Sequence, residues 1–560
     1  ARITGVVQTH SNYYQVLYKV SPTKPLIAQK MCVVGSDLLP GFYCVLDSAL
    51  FVVLVATASV ARAPTKRPIP SPASRSTKKS NPSIDTLTQR HARLGTLISE
   101  LTARLSSAES WREFVLDFRG PSYLSSELED LDHPATPLLA QWRDQGVPAK
   151  STSEPWTLEQ KDECVRRGCH PSASEHGDFI REEMADFIDN RFWVVLPYQQ
   201  VRHLENLMMS PAAIKPERDL EPCLLCDHSW PWAWGSINQT TIHHAPPEAM
   251  QFGGTLHRTL HLARHANLRY GPVRGSKHDL KDGFYKMALD PDDCLRLALL
   301  LPPCEGEPQL VGIPLACTMG WVQSPPSVAP LYDTVCDVAR ARVQADPLGG
   351  MPYRLSALAQ SMDDDVRSRS PAPKEPEDLA ADATLAAIPG VVPLEPEPEH
   401  TAPPSNRPFQ RPIGATDVFV DDFIQVGQGS ARRMNSLRDH LLHAIDGMIA
   451  QPLDDEGHPR EPASVKKMSR GDGSWNSWKV ILGWIIDFIR QTLELPAHRK
   501  LTLASIFTEL ANLKRIARSR WQRILGQLRF VSQAIPGSVD LFGALQLALK
   551  KATSGRIRIN

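Results

Sequence analysis

Two adjacent aspartates, Asp421 and Asp422, stand between apolar runs in Asp417-Val-Phe-Val-Asp-Asp-Phe-Ile-Gln-Val426. The flanking runs read as two short strands, with the carboxylates at the turn that joins them. Neighbouring carboxylates repel, and a tight turn tolerates them where solvent, a cation or basic groups offset the charge. A solvated hairpin turn satisfies that condition, because Asp is common in turns. A metal-binding tip also satisfies it, provided that a third carboxylate comes close.

The rest of the chain has to choose between these readings. At 560 residues, 42% of them hydrophobic, it has material for two to four domains. Forty-eight prolines predict long irregular segments beside folded ones. A formal charge of zero hides a strong unevenness: Arg499 to Asn560 carries twelve Lys/Arg against two Asp/Glu, and Asp363 to Glu399 carries ten Asp/Glu against three Lys/Arg. The basic end predicts a polyanionic partner and the acidic stretch a solvated segment. Ten cysteines without a repeating framework fit free thiols in a reducing compartment, so an intracellular location, cytoplasm or nucleus, is expected. Phe42 to Ala61 is apolar enough to raise a short membrane span, but Asp47 interrupts it and membrane insertion is not expected. A chain that opens on Ala1 rather than Met is expected to be part of a longer or composite frame.

Composition divides the chain into segments. Residues 1–93 hold an unassigned apolar stretch and then a Pro/Ser/Lys/Arg-rich linker expected to be disordered. Residues 94–174 form a helical and irregular upstream region, opening with leucines at helical spacing from Leu94 to Leu105. Glu175 to Phe192 predicts a helix feeding the apolar strand Trp193-Val-Val-Leu196, the start of a compact α+β region over 175–345. Between 346 and 412 proline recurs with Glu, Ser and Ala, and a disordered Pro/acidic insertion is expected. Order returns over 413–498 with the hairpin, a helix from Ala431 to Ile449, and strands at Lys479–Asp487 and Thr492–Leu495. Three basic helices are expected over 499–560.

Four short motifs follow one another in a fixed order. They are Asp279-Leu-Lys-Asp-Gly-Phe284, Gly320-Trp-Val-Gln-Ser-Pro325, Phe419-Val-Asp-Asp422 and Leu482-Gly483. In that order the chain resembles retrotransposon reverse transcriptases. The stretches Phe192-Trp-Val-Val-Leu-Pro-Tyr198, Leu207-Met-Met-Ser-Pro211, Cys226-Asp-His-Ser-Trp230 and Ala249-Met-Gln-Phe-Gly253 resemble the DIRS-like, tyrosine-recombinase type of element. The resemblance covers about residues 175–345 and 413–552. It implies an α+β right-hand polymerase: fingers and the first part of an antiparallel-sheet palm over 175–345, the rest of the palm over 413–498, and a helical thumb over 499–560.

The resemblance also implies roles. Asp279, Asp421 and Asp422 are the catalytic and metal-binding set for two Mg²⁺ ions, with Mn²⁺ as a substitute, and Asp422 assists less directly. Hard cations take carboxylate oxygens on a rigid support, and two of them can stabilise the attacking and leaving oxygens of an in-line displacement. Phe284 lies under the incoming sugar, against a plain reading as a core aromatic. Gly320 and Trp321 floor the templating pair, with glycine permitting close backbone approach, and Gln323 stands beside them at the nucleic acid. Lys466 or Lys467 is the proton donor to pyrophosphate, against a reading as a solvated pair. Cys223 stands where relatives carry a triphosphate-binding arginine, and Lys215 and Arg218 are the substitutes within reach. Met319 replaces a common glutamine. Arg515, Arg518, Arg520 and Arg523 are candidate contacts to a primer–template backbone.

The implied partners are an RNA template, a DNA primer and deoxynucleoside triphosphates. No RNase H pattern precedes Asn560, so RNase H and integrase or recombinase activities are expected from other polypeptides of the element. A rival expectation is a degenerate relic that binds nucleic acid without polymerising. Two clusters receive the plain structural reading rather than a metal: Cys223-Leu-Leu-Cys226, whose cysteines point to opposite faces of a strand, and Cys164, Cys169, His170 and His176.

Overall fold

The computed structural model describes short strands at 2–10, 13–19 and 43–44, and then residues 84–558 apart from 364–404, 216–221, 232–234, 245–249, 451–460, 535–537 and a few single positions. Arg218 and the greater part of the apolar stretch 42–61 lie outside the described residues. Among the described residues no helix is long and apolar enough to cross a membrane.

The upstream helix runs over Ile84–Ser107, so it begins inside the segment expected to be a linker. Leu94 and Leu101, two turns apart on one face, are fully buried. Arg93 ties this helix to Gly177–Asp189 through Asp186 and Asp189. That second helix leads, as its periodicity predicts, into the strand Trp193–Pro197, whose first four residues are buried. A strand buried on both faces shows no alternation, and this one lies at one edge of a five-stranded sheet. Its order is Trp193–Pro197, Leu310–Pro314, Ala298–Leu300, Met209–Lys215 and Cys223–Cys226, with one parallel pairing, between Met209–Lys215 and Ala298–Leu300.

A separate three-stranded antiparallel sheet positions the aspartates. The hairpin strands Gly414–Phe419 and Asp422–Gly427 pair across a two-residue turn, and the inner one pairs on its other side with Arg274–Asp279. Period-two alternation divides the inner strand between two cores. Phe423 joins Tyr332, Leu441 and Leu442 beneath the helices Ser324–Ala345 and Ala431–Met448. Ile424 and Val426 join Leu256, Leu260, Trp484 and Ile486 on the opposite side.

The Arg274–Asp279 strand is an edge strand, and a later segment covers its outer side. Gly275 and Asn476 exchange backbone hydrogen bonds of 2.9 and 3.0 Å, Gly473 N donates to Lys277 O at 2.5 Å, and Ser464 N donates to Asp279 O at 2.8 Å. The backbone groups that an edge leaves unpaired are satisfied in this way.

The Pro/acidic insertion is expected to be disordered over 346–412, but its described residues pack at both ends, Phe409 against the second of the two cores. Residues 346–363 pack on the helix Ala431–Met448, with Tyr353 buried and its hydroxyl donating to Asp446 Oδ1 at 2.8 Å. Asp363 takes both terminal guanidinium nitrogens of the fully buried Arg438 at 3.0 Å each, while Arg438 also donates to Gly473 O at 3.0 Å. The short helix Ser356–Gln360 in this stretch adds Ala359 to the main core, with Leu355 and Leu358 packed against it.

Downstream, Trp478–Ile481 and Trp484–Asp487 form a hairpin, with Leu482 and Gly483 both at positive φ in its turn. The three expected basic helices are Ala497–Asn512, Arg518–Ser532 and Ser538–Lys551. A short ribbon, Arg515–Ala517 paired with Arg556–Arg558, accompanies them, so Arg515 sits on a strand rather than a helix.

Replacing Arg438 with Leu leaves Asp363 without its counter-ion and the Gly473 carbonyl without its donor. Urea unfolding is expected to show a loss of about 3 kcal/mol or more.

Candidate active site

Strand register assembles the acidic end of the three-stranded sheet. Asp279 is the last residue of its strand and pairs directly with Asp422, the first residue of the inner hairpin strand. Asp421 occupies the turn, and its carbonyl accepts from Leu280 N at 3.3 Å. Carboxylates from segments far apart in the chain therefore share one end of one sheet. Asp417, at the other end of the acidic motif, is not among them. Arg258 binds it bidentately, at 2.6 and 2.9 Å.

The turn itself is strained. Val420 has φ +57°, where a β-branched residue is rare and glycine is usual, at a cost of about 1–3 kcal/mol. Beside it Gly283 packs so closely that a Cβ there would lie 2.8 Å from Asp421 Cβ and 3.2 Å from the Tyr332 hydroxyl. That hydroxyl donates to Gly283 O at 2.5 Å. The small residue of the first motif is a packing requirement of the acidic tip.

Burial, more than any neighbour, raises the Asp279 carboxyl, to about 7; Lys467 opposes the rise and Asp422, within hydrogen-bonding reach, adds to it. Asp421 is raised as well, by burial first and the Asp422 charge second. Two lysines offset the charge. Lys467 Nζ lies 2.6 Å from Asp279 Oδ1, and Lys277 Nζ lies 3.2 Å from Asp422 Oδ1 and 3.7 Å from Asp472 Oδ2.

Among the described residues no three His, Cys, Asp or Glu side chains converge as a group that could hold a metal. The donors at the tip are nonetheless of the hard-oxygen kind that Mg²⁺ takes. Burial and mutual repulsion, which hold Asp279 and Asp421 above the usual carboxylate range, are the conditions that a bound divalent cation would relieve. In chemical type the residues fit such an ion, with Lys467 standing at the Asp279 oxygen.

The other residues singled out in the sequence distribute unevenly. Lys467, rather than its exposed neighbour Lys466, faces the carboxylates. Phe284 is partly buried against the main core. Its segment connects to the glycine-bearing loop through Cys317 N, which donates to Met287 O at 2.9 Å. Gly320 has φ +99°, and a Cβ there would lie 2.3 Å from the Cys226 carbonyl oxygen, so the loop rests on the last strand of the five-stranded sheet. On the same sheet edge Lys215 pairs in register with Cys223, and Cys223 Sγ lies 3.8 Å from Met319 Sδ.

Trp321 and Gln323 depart from the expectation of nucleic-acid contact. Trp321 is buried, its indole N–H donating to Thr241 Oγ1 at 3.1 Å, and Gln323 is buried with Nε2 2.6 Å from His243 Nδ1. Their side chains hold the loop to the protein rather than facing outward. Arg520 is spent on Glu509, while Arg515, Arg518 and Arg523 are exposed. The cysteine and histidine cluster is dispersed among separate partners: Cys164 donates to Met209 O, Cys169 to Leu300 O, and His170 pairs with Asp227 at 2.9 Å. Sequence reasoning passed over Lys277, Tyr332 and Asp472. For Lys277 a signal existed, since a residue two before Asp279 in a strand shares its face.

No protein-family profile and no curated protein matches the sequence. Solved structures similar to the chain include a foamy viral protease–reverse transcriptase in complex with dsDNA, and its dRH form with double-stranded DNA. Both are 13% identical at a TM-score of 0.35. The alignment with the dRH form covers 79% of this chain and 56% of that one, and the other covers 80% and 67%. The matched part is thus little more than half the length of the dRH form.

Asp279 keeps its proton in the folded chain after an unfolded aspartate, at about 4, has released it. Between those values the folded state binds more protons, so this group favours folding at about pH 4 and its contribution is lost as pH rises to about 7. In chelator, Asp279→Asn is expected to flatten the fall in melting temperature over that window.

Proposed function

We propose that the chain is an RNA-directed DNA polymerase of a retroelement, adding nucleotides to a primer 3′-hydroxyl. The observation that carries this reading is the register of Asp422 against Asp279 with Asp421 in the adjoining turn, three carboxylates at one end of an antiparallel sheet. In this reading the sheet and its helices are the palm, the five-stranded sheet belongs to the fingers, and the C-terminal helices form the thumb. The DIRS-like motifs near Phe192 and Cys226 favour that subgroup.

Asp279 and Asp421 would hold divalent cations, which supply charge stabilisation at the attacking and leaving oxygens. The chain's own groups do the rest. Gly283, its carbonyl bonded by the Tyr332 hydroxyl, packs against the Asp421 side chain and limits where its carboxylate can go. Lys467 keeps a proton-bearing ammonium at Asp279 and, released from it, has one to give to pyrophosphate. Phe284 underlies the sugar. Lys215, opposite Cys223 in the ladder, brings a cation to the position where the family resemblance expects arginine. A lysine there offers a point charge rather than a bidentate fork, so triphosphate binding is weaker than an arginine would give.

That same position favours a second reading, a chain that binds nucleic acid without polymerising. Primer extension on poly(rA)/oligo(dT) with Mg²⁺ separates the two. Incorporation by the unsubstituted chain, falling on the order of a thousandfold in Asp421→Asn, is the expected result. RNA binding without incorporation, in Mn²⁺ as well, selects the second reading.

Neutralising Arg518 and Arg523 together is expected to weaken primer–template binding and reduce the slope of log affinity against log salt by about 2. Filter binding across a salt series measures it. An unchanged slope would remove these two side chains from the interface.

A further inference from the structure

Lys277 has no part in the reading above, yet it is built into the acidic tip from several directions. Its position two before Asp279 puts both side chains on one face of the strand. Its ladder partner is Ile424, but its ammonium reaches along the sheet to Asp422 Oδ1 at 3.2 Å and to Asp472 Oδ2 at 3.7 Å. Only 18% of the side chain is exposed, against 49% for Lys467. The backbone sets up this geometry. Gly473 N donates to Lys277 O at 2.5 Å, Gly275 and Asn476 exchange hydrogen bonds, and Asp472 is thereby carried to the far side of the lysine. Asp472 is itself fixed, its N–H donating to Lys467 O at 3.1 Å.

A half-buried cation between two carboxylates has little freedom to move, and each carboxylate would be uncompensated without it. We propose that Lys277, anchored by Asp472, is a positioning residue. It fixes the Asp422 carboxylate and balances its charge, so that Asp422 frames the site and Asp279 with Asp421 are left to take the cation. What the tip binds rests on the proposed function; the Asp422–Lys277–Asp472 arrangement does not.

Two measurements on the full chain test this separately. In chelator, thermal unfolding of Lys277→Met, Asp422→Asn and the double variant reads the contact itself. Lys277→Met is expected to lower the melting temperature on the order of 2 °C, and by clearly less in the Asp422→Asn background. Additive shifts overturn the proposal. Should Lys277→Met not fold, Asp422→Asn and Asp472→Asn combined are expected to cost more than their sum, because Lys277 then loses both carboxylates that its ammonium reaches; an additive loss again overturns it.

Mn²⁺ affinity, followed by the resonance of the free aqueous ion, reads the consequence. Lys277→Met frees Asp422 to act as a ligand and is expected to tighten binding about tenfold, Lys277→Arg to leave it near the unsubstituted value, and Lys277→Met to do nothing in the Asp422→Asn background. The same shift in both backgrounds would be a general charge effect and overturns the positioning role, as does no shift in either. If the unsubstituted chain binds no Mn²⁺ while the thermal coupling persists, the cation reading falls and the positioning contact stands.

Discussion

Everything at the acidic end depends on one piece of strand pairing, the register that sets Asp422 opposite Asp279. Without it the hairpin is an acidic turn; with it, carboxylates repel at close range in a partly buried place. That repulsion must be met, and the chain meets it with ammonium groups from two directions, Lys277 from within the sheet and Lys467 from the covering segment. Glycine at 283, the left-handed valine at 420 and the Tyr332 hydroxyl bond serve the same geometry, since each lets the tip sit where open space would otherwise separate it from the sheet. The tip thus gathers a left-handed valine, buried carboxylates and the ammonium groups that offset them at one end of a sheet.

Parts of this were legible from the sequence for simple reasons. The hairpin declares itself because apolar residues flank a turn-forming pair, and the strand Trp193–Pro197 because it is apolar throughout. The partner strand is different. Arg-Gly-Ser-Lys-His-Asp has no apolar residue at all, so hydropathy lends no support to the short strand expected to end on Asp279, which the structure nonetheless shows. It is a strand because its backbone pairs on both sides, and its buried polar side chains are kept uncharged or bonded: Ser276 Oγ lies 3.2 Å from His278 Nε2, and burial holds the imidazole neutral, its pKa lowered to about 3. Motif order, and not periodicity, placed Asp279 beside the hairpin.

The misplacements have physical causes as well. Trp321 follows a glycine in a loop, where an aromatic is easily taken for a contact surface, but the positive φ of Gly320 turns the chain so that the indole enters the core. Lys466 and Lys467 are indistinguishable by spacing; in the structure Ser464 is bonded to the Asp279 carbonyl and Lys467, on the turn that follows, pairs with the Asp279 carboxylate. Residues 346–363 read as insertion because their apolar anchors, Tyr353, Leu355, Leu358 and Ala359, fall on a short helix and loop amid Pro and Gly, with the Arg438–Asp363 pair beside them.

The segment that covers the Asp279 strand has a consequence for the chain in solution. An edge strand with a row of free N–H and C=O groups is a template for pairing with another molecule. Here that row is closed by 463–476 through Ser464, Gly473 and Asn476, and the closing groups sit within a few residues of both lysines. Release of this cover, by cleavage or by local opening, exposes a sticky edge and takes Lys467 from Asp279 and Asp472 from Lys277, while Lys277 stays with Asp422 on the sheet. Protection of the strand edge and the placing of Lys467 and Asp472 at the tip therefore belong to one segment.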